Sequence, residues 1–254
     1  MSGFLADYSG AEIRVSPNFG ERRGVTRPSI IVLHYTGMQT AASAEAWLCD
    51  PVSEVSSHYL VREDGAIVQM VRESDRAWHA GRGSWKGDTD VNSASIGIEI
   101  ANPGHAFGYP DFGDVQIDAV IALCRDIAGR HAIRPECVLA HSDTAPGRKI
   151  DPGEKFPWGR LAAGGVGHYV EATPMGVGRF IAEGERSPQV EQLQSMLALY
   201  GYGIDITGFY DAATKTVVSA FQRHFRPERV DGLADHSTID TLTRLLAALP
   251  ADAA

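Results

Sequence analysis

The stretch "SIIVLHY", residues 29–35, is a short run that follows a proline and whose apolar part, "SIIVLH", closes on a histidine. It reads as a β-strand, and four more runs of the same kind surround it: "HYLVR" (58–62), "AIVQMV" (66–71), "SIGIEIA" (95–101) and "CVLAH" (137–141). "EDG", between the second and third of these five runs, is a short glycine-containing turn, so that pair is expected to form a hairpin. Helical patterns alternate with the runs. "TAASAEAWL" has Thr40 as its N-cap, and 115–130 repeats Ile117, Val120, Ile121, Cys124 and Ile127 at helical spacing after Asp114. Alternation of this kind predicts an α/β domain with a mixed central sheet flanked by helices.

Beyond "FPWGRL" the composition changes. Residues 162–185 are rich in glycine and hold no period, which reads as a linker or a long surface excursion. The expected organisation is therefore an N-terminal arm and α/β domain over 1–161, a linker over 162–185 and a separate domain over 186–254. In that last part "SPQVEQLQSMLALYG" carries Ser187 as N-cap, Pro188 at the first helical position and Gly201 as the stop. Two later segments, "ITGFYDAAT" (206–214) and "VDGLADHST" (230–238), repeat one another, and each leads into an amphipathic helix capped by its aspartate, Asp211 or Asp235. A small three-helix domain with an internal repeat is the simplest assembly.

Composition excludes some functions. The 254 residues are 44% hydrophobic, enough for a substantial core, while a net charge of −9 without any Lys/Arg stripe argues against a nucleic-acid partner. No apolar run reaches the roughly 20 residues of a membrane-spanning helix, and the opening "MSGFLADYSGAEIRV" shows no export signal. Three cysteines, none in a C-x-x-C pair, suit a reducing compartment, and Cys124 is expected as a small buried hydrophobe.

Two of the nine histidines stand out by position. His34 and His141 each close an apolar strand, where a side chain leaves the core and can enter a pocket. Asp151 follows His141 across a loop, "APGRKIDPG" (145–153), in which two prolines and two glycines restrict the backbone. Two imidazoles and one carboxylate with a water in the fourth place make a catalytic zinc set. Glu99 is a candidate by an independent route. Alternation in "SIGIEIA" puts it with Ser95, Gly97 and Ala101, opposite three isoleucines, and a carboxylate buried among small neighbours needs a cation or donors facing it. Lys149, in the constrained loop, can stabilise an oxyanion.

Together "VLHYT", "SSHYLV", "WHAG", "SIGIEIAN" and "AHSDTAPGRKIDPG" closely resemble the zinc-dependent N-acetylmuramoyl-L-alanine amidases, in the family's order, over roughly residues 28–160. The resemblance implies zinc ligands His34, His141 and Asp151, a catalytic acid or base at Glu99 and the catalytic lysine at Lys149. It implies hydrolysis of the amide between N-acetylmuramic acid, or its anhydro form, and L-alanine of the stem peptide, with peptidoglycan or muropeptide fragments as partners. The tail, about 187–246, resembles the small peptidoglycan-binding module of wall hydrolases, although its first repeat reads "ITG" where that module usually has Asp before Gly. His58, His79 and Arg148 are expected as pocket-wall or substrate contacts. His105, His131, His168, His224 and His236 are expected as surface or packing residues.

Two other functions share some of these features. A recognition module would bind wall fragments without cleaving them, but here the ligand set is complete. A two-histidine, one-carboxylate iron oxygenase would have a closely spaced His-x-Asp pair, and would leave Glu99 and Lys149 unexplained. The compartment is expected to be the cytoplasm, with the cell envelope as the alternative suggested by the tail.

Overall fold

A computed structural model describes residues 4–176 and 178–250. In chain order the α/β part contains β1 (Ala11–Ile13), β2 (Phe19–Glu21), β3 (Ile30–Tyr35), α1 (Ala41–Leu48), β4 (Tyr59–Val61), β5 (Ile67–Gln69), β6 (Asp75–Ala77) and α2 (Val91–Ala94). There follow β7 (Ser95–Ile100), α3 (Asp114–His131), β8 (Val138–Ala140), α4 (His141–Thr144) and α5 (Trp158–Ala163). Three further helices follow, α6 (Pro188–Tyr200), α7 (Ala212–Phe225) and α8 (His236–Ala247). Among the described residues no helix is long and apolar enough to cross a membrane.

The five expected strands pair in one six-stranded sheet, ordered β1-β5-β4-β7-β3-β8, to which the N-terminal arm adds β1. Only the β4–β5 hairpin is antiparallel in it, so the sheet is mixed. Its central strands are covered on both faces, which is why β3 reads as a continuous apolar run. Helix α3 buries Ile117, Val120, Leu123, Cys124 and Ile127 against the sheet. Burial pushes the Cys124 thiol up to about 12, as suits a residue that serves as packing. Helix α1 sets Ala41, Ala44 and Leu48 over Leu60, Val68 and Met70.

The repeat in the tail has a structural basis that its turn motifs do not reveal. Gln194 on α6 and Gln222 on α7 are both buried, and each accepts two backbone N–H groups of the turn that follows its helix, Thr207 and Gly208 or Asp231 and Gly232, at 2.8–3.0 Å. Each also donates to the next N-cap region, Thr214 or Thr238. In the first repeat the Thr207 hydroxyl accepts from Gln194 Nε2 at 3.2 Å, as Asp231 Oδ1 accepts from Gln222 at 3.3 Å in the second. The departure "ITG" therefore preserves the turn.

Within 162–185 the described residues make hydrogen bonds to the bundle. Helix α5 extends into this stretch, Ile181 exchanges two backbone hydrogen bonds with Ala234, and the Ser237 hydroxyl donates to the Thr173 carbonyl at 2.6 Å. The bundle and the α/β part share one hydrophobic core. Trp85, 1% exposed, meets the rings of Tyr200 and Tyr202 edge-on, and Lys86 N–H donates to the Gly201 carbonyl.

Candidate metal centre

Parallel pairing assembles the site. On β3 and β8, Leu33 lies opposite Ala140, so the residues that follow, His34 near the end of β3 and His141 at the start of α4, come together at the C-terminal ends of the strands. On β3 and β7, His34 lies opposite Glu99, so both side chains share one face. The loop after α4 brings Asp151 to them. Its Ala145 carbonyl accepts from the N–H groups of Arg148 and Lys149, and Ser142 N–H donates to the Asp151 carbonyl at 3.0 Å. As a result His34 Nδ1 and His141 Nδ1 are 2.9 Å apart, and each is 3.0 Å from Asp151 Oδ2.

Hydrogen bonding behind the site determines what those three atoms offer. The Ser95 hydroxyl spends its single proton on the Val91 carbonyl, so it accepts from His79 Nε2–H at 3.1 Å. Neutral His79 then has a lone pair on Nδ1, which accepts from His34 Nε2–H at 3.0 Å. This leaves His34 Nδ1 unprotonated. His141 Nε2–H donates to the Ala80 carbonyl at 2.9 Å, so the neutral ring offers Nδ1 as a lone pair too. With both imidazoles in these neutral tautomers three lone-pair donors converge, a repulsive arrangement that a shared proton or a bound cation relieves. These residues therefore fit a metal ion, and they form a group able to hold one.

The electrostatics agree. Burial and the neighbouring His141 outweigh the pull of Asp151 and lower His34 to about 4. His79 is held well below its ordinary value by burial and by His34. Burial pushes the Asp151 carboxyl up, but His141 and His34 outweigh it and keep the group ionised. Glu99 is moved well above the ordinary carboxylate range by burial and by Asp151, with Lys149 opposing, and its Oε2 has no hydrogen-bond partner. Its carboxyl is thus available to a proton or a ligand.

All five residues line a pocket of about 380 Å³, which His79 and Arg148 share. Arg148 donates from Nε and from the guanidinium to the Arg82 carbonyl and also reaches the Ala80 carbonyl, so it clamps the 80–82 loop at the pocket wall. His58 does not line the pocket, contrary to expectation. Its ring is fully buried, Nδ1 accepts from Gly97 N–H at 3.0 Å, and Nε2 lies 3.1 Å from the Asp75 carbonyl and from Arg22. Burial and the Arg22 charge lower it to about 3, so it stays neutral as an internal brace.

Several residues escaped the sequence analysis. Arg22, from the N-terminal arm, donates to the carbonyls of Glu73, Ser93 and Ser95. Tyr35, Trp47 and Trp78 add aromatic wall to the pocket. For Trp47 a cue existed: it lies off the buried stripe of α1 and is 47% exposed, an unusual position for tryptophan without a surface role.

A pocket that gathers three metal-binding atoms, a carboxyl raised above its ordinary pKa and an ammonium group has the parts of a hydrolase. Residues 24–154 match the N-acetylmuramoyl-L-alanine amidase family, and the chain belongs to that family. Residues 186–242 match a peptidoglycan binding domain. The chain is 40% identical over 230 residues to N-acetylmuramoyl-L-alanine amidase AmiD of Escherichia coli K12, covering 84% of this chain and 80% of that protein. It is 31% identical over 165 residues to the 1,6-anhydro-N-acetylmuramyl-L-alanine amidase AmpD of Citrobacter freundii, covering 58% of this chain and 86% of the relative. Among solved structures, E. coli AmiD in complex with anhydro-N-acetylmuramic acid-L-Ala-D-γ-Glu-L-Lys superposes with a TM-score of 0.74 at 36% identity, covering 91% of this chain and 97% of the other. AmpDh3 of Pseudomonas aeruginosa gives 0.73 at 31% identity, with 98% and 100% covered. The catalytic reading is favoured over recognition without cleavage.

Proposed function

We propose that this chain uses zinc, held by His34, His141 and Asp151, to hydrolyse the amide between the lactyl group of N-acetylmuramic acid, or its anhydro form, and L-alanine of the stem peptide. The observation that carries the proposal is the convergence of His34 Nδ1, His141 Nδ1 and Asp151 Oδ2 within hydrogen-bond distance beside Glu99. Two neutral imidazoles and a carboxylate suit zinc among the common cations. Zinc bound there supplies Lewis acidity toward the scissile carbonyl and lowers the pKa of water to about 7. The AmiD and AmpDh3 complexes hold an anhydro-muramic tripeptide and an anhydromuramic pentapeptide, which supports a fragment of that class as substrate here.

Glu99 takes a proton from the attacking water and passes it to the departing amine of L-alanine. Lys149, on the same pocket wall, donates to the oxyanion that develops on the carbonyl. His79 and the Ala80 carbonyl hold the two imidazoles in the tautomers that expose Nδ1. The test is to incubate zinc-loaded protein with a soluble anhydro-muropeptide and, separately, with intact sacculi, and to follow free stem peptide by mass spectrometry. The expected result is release from the soluble fragment, lost in Glu99→Gln. No release from either substrate would sink the proposal.

A further inference from the structure

Asp143 is buried at 0% exposure on α4, two residues beyond His141, and plays no part in the reaction above. Its carboxylate is satisfied largely from the other end of the chain. The Tyr202 hydroxyl donates to Oδ1 at 2.7 Å and His224 Nδ1–H donates to Oδ2 at 2.6 Å. The remaining donor is local, Ala140 N–H to Oδ2 at 2.8 Å. His224 is itself fixed by stacking between Trp158, with ring centroids 3.6 Å apart, and Phe225, at 3.7 Å.

The consequence follows from what α4 carries. It is four residues long, too short to be stable on its own hydrogen bonds, and no side chain of its N-cap residue Ala140 caps it. Its first residue is His141, and its Ser142 N–H holds the Asp151 carbonyl. The position of α4 therefore controls two of the three metal-binding side chains. Asp143 pins α4 to Ala140 on one side and to the bundle on the other. The loop 145–153 rests on the same support: Gly147, with φ +76°, lies so close to α7 that a Cβ would stand 2.6 Å from Thr216 Cγ2.

We propose that Tyr202 and His224 are positioning residues of the metal centre, so that the helical bundle orders the site as well as accompanying it. A buried carboxyl group deprived of its hydrogen-bond partners rearranges to reach water, and α4 would move with it. The proposal rests on the assignment of His34, His141 and Asp151 as metal ligands.

The full-length chain tests it through Tyr202→Phe, which removes one hydroxyl, His224→Phe, which keeps the stacked ring without its donor, and His224→Asn, which restores a donor near the Nδ1 position. Zinc transfer to a chromogenic chelator and the d–d spectrum of the cobalt-substituted protein are read beside kcat, KM and Tm. Tyr202→Phe and His224→Phe are expected to speed metal loss by about tenfold and to alter the cobalt spectrum. They should lower kcat with KM for a soluble muropeptide unchanged, and His224→Asn should recover most of the loss. Wild-type metal retention and spectrum in Tyr202→Phe and in folded His224→Phe would overturn the inference even if Tm fell. Wild-type protein that bound no metal would overturn the ligand assignment, and this inference with it.

Discussion

His34 and Glu99 are register partners on neighbouring parallel strands, with both side chains on one face of the sheet near the C-terminal ends of the strands. One residue offers a lone pair to a cation and the other offers a carboxyl with an unpartnered oxygen. Because the backbone ladder fixes their spacing, the candidate ligand and the candidate base are held together by two hydrogen-bonded central strands.

Glu99→Gln removes the proton acceptor while preserving shape. Amidase activity is expected to fall by about 10²- to 10⁴-fold with metal content unchanged. Turnover on a muropeptide, paired with elemental analysis, checks it, and near-normal turnover would eliminate Glu99 as the base.

His141→Ala and Asp151→Ala should lose the metal as well as activity. Lys149→Ala should keep the metal and lose roughly 10²- to 10³-fold in kcat, since it removes a donor to the developing oxyanion only. Elemental analysis separates the two patterns, and metal loss in the lysine variant would place Lys149 in the wrong role.

Gly97→Ala is expected to be destabilising by about 1–3 kcal/mol, the usual range for overpacking. A Cβ there would stand 2.4 Å from His79 Cγ, so the ring that fixes the His34 tautomer must shift. Thermal unfolding and metal affinity should both fall, and a variant with wild-type values in both would contradict the packing argument.

Glu73 governs part of the acid sensitivity. Burial raises its pKa, but hydrogen bonds from Arg130, Tyr59 and His131 outweigh that and bring it from 4.5 to about 2. Between those values the unfolded chain binds the proton and the folded chain does not, so this contribution is complete above about 4.5 and disappears as pH falls toward 2. Glu73→Gln should be less stable at neutral pH and show a shallower loss of Tm across that window. Parallel acid limbs for the two proteins would refute the linkage.

Strand positions and helix caps were legible because they depend on local pattern. Thr40, Ser187, Asp211 and Asp235 each accept from the backbone N–H three residues on, as their positions before apolar stripes predict. The candidate metal ligands His34 and His141 were legible for a related reason, since a histidine at the C-terminal end of a strand can deliver its side chain to a pocket. His58 was misread because it also adjoins a strand, and only the ring's three-dimensional neighbours show that both nitrogens are used internally.

By itself the sequence determined the main strands and helices, the mixed sheet, the candidate donors and the family, since periodicity, capping and motif order act over a few residues at a time. Tertiary structure alone decided the tautomers of His34 and His141, the burial of His58, and the docking of the bundle on α4. Each depends on which buried donor meets which acceptor across long separations, such as the 81 residues between Asp143 and His224. Satisfying a buried polar group is a property of its whole surroundings, so it is settled only when the chain has closed around it.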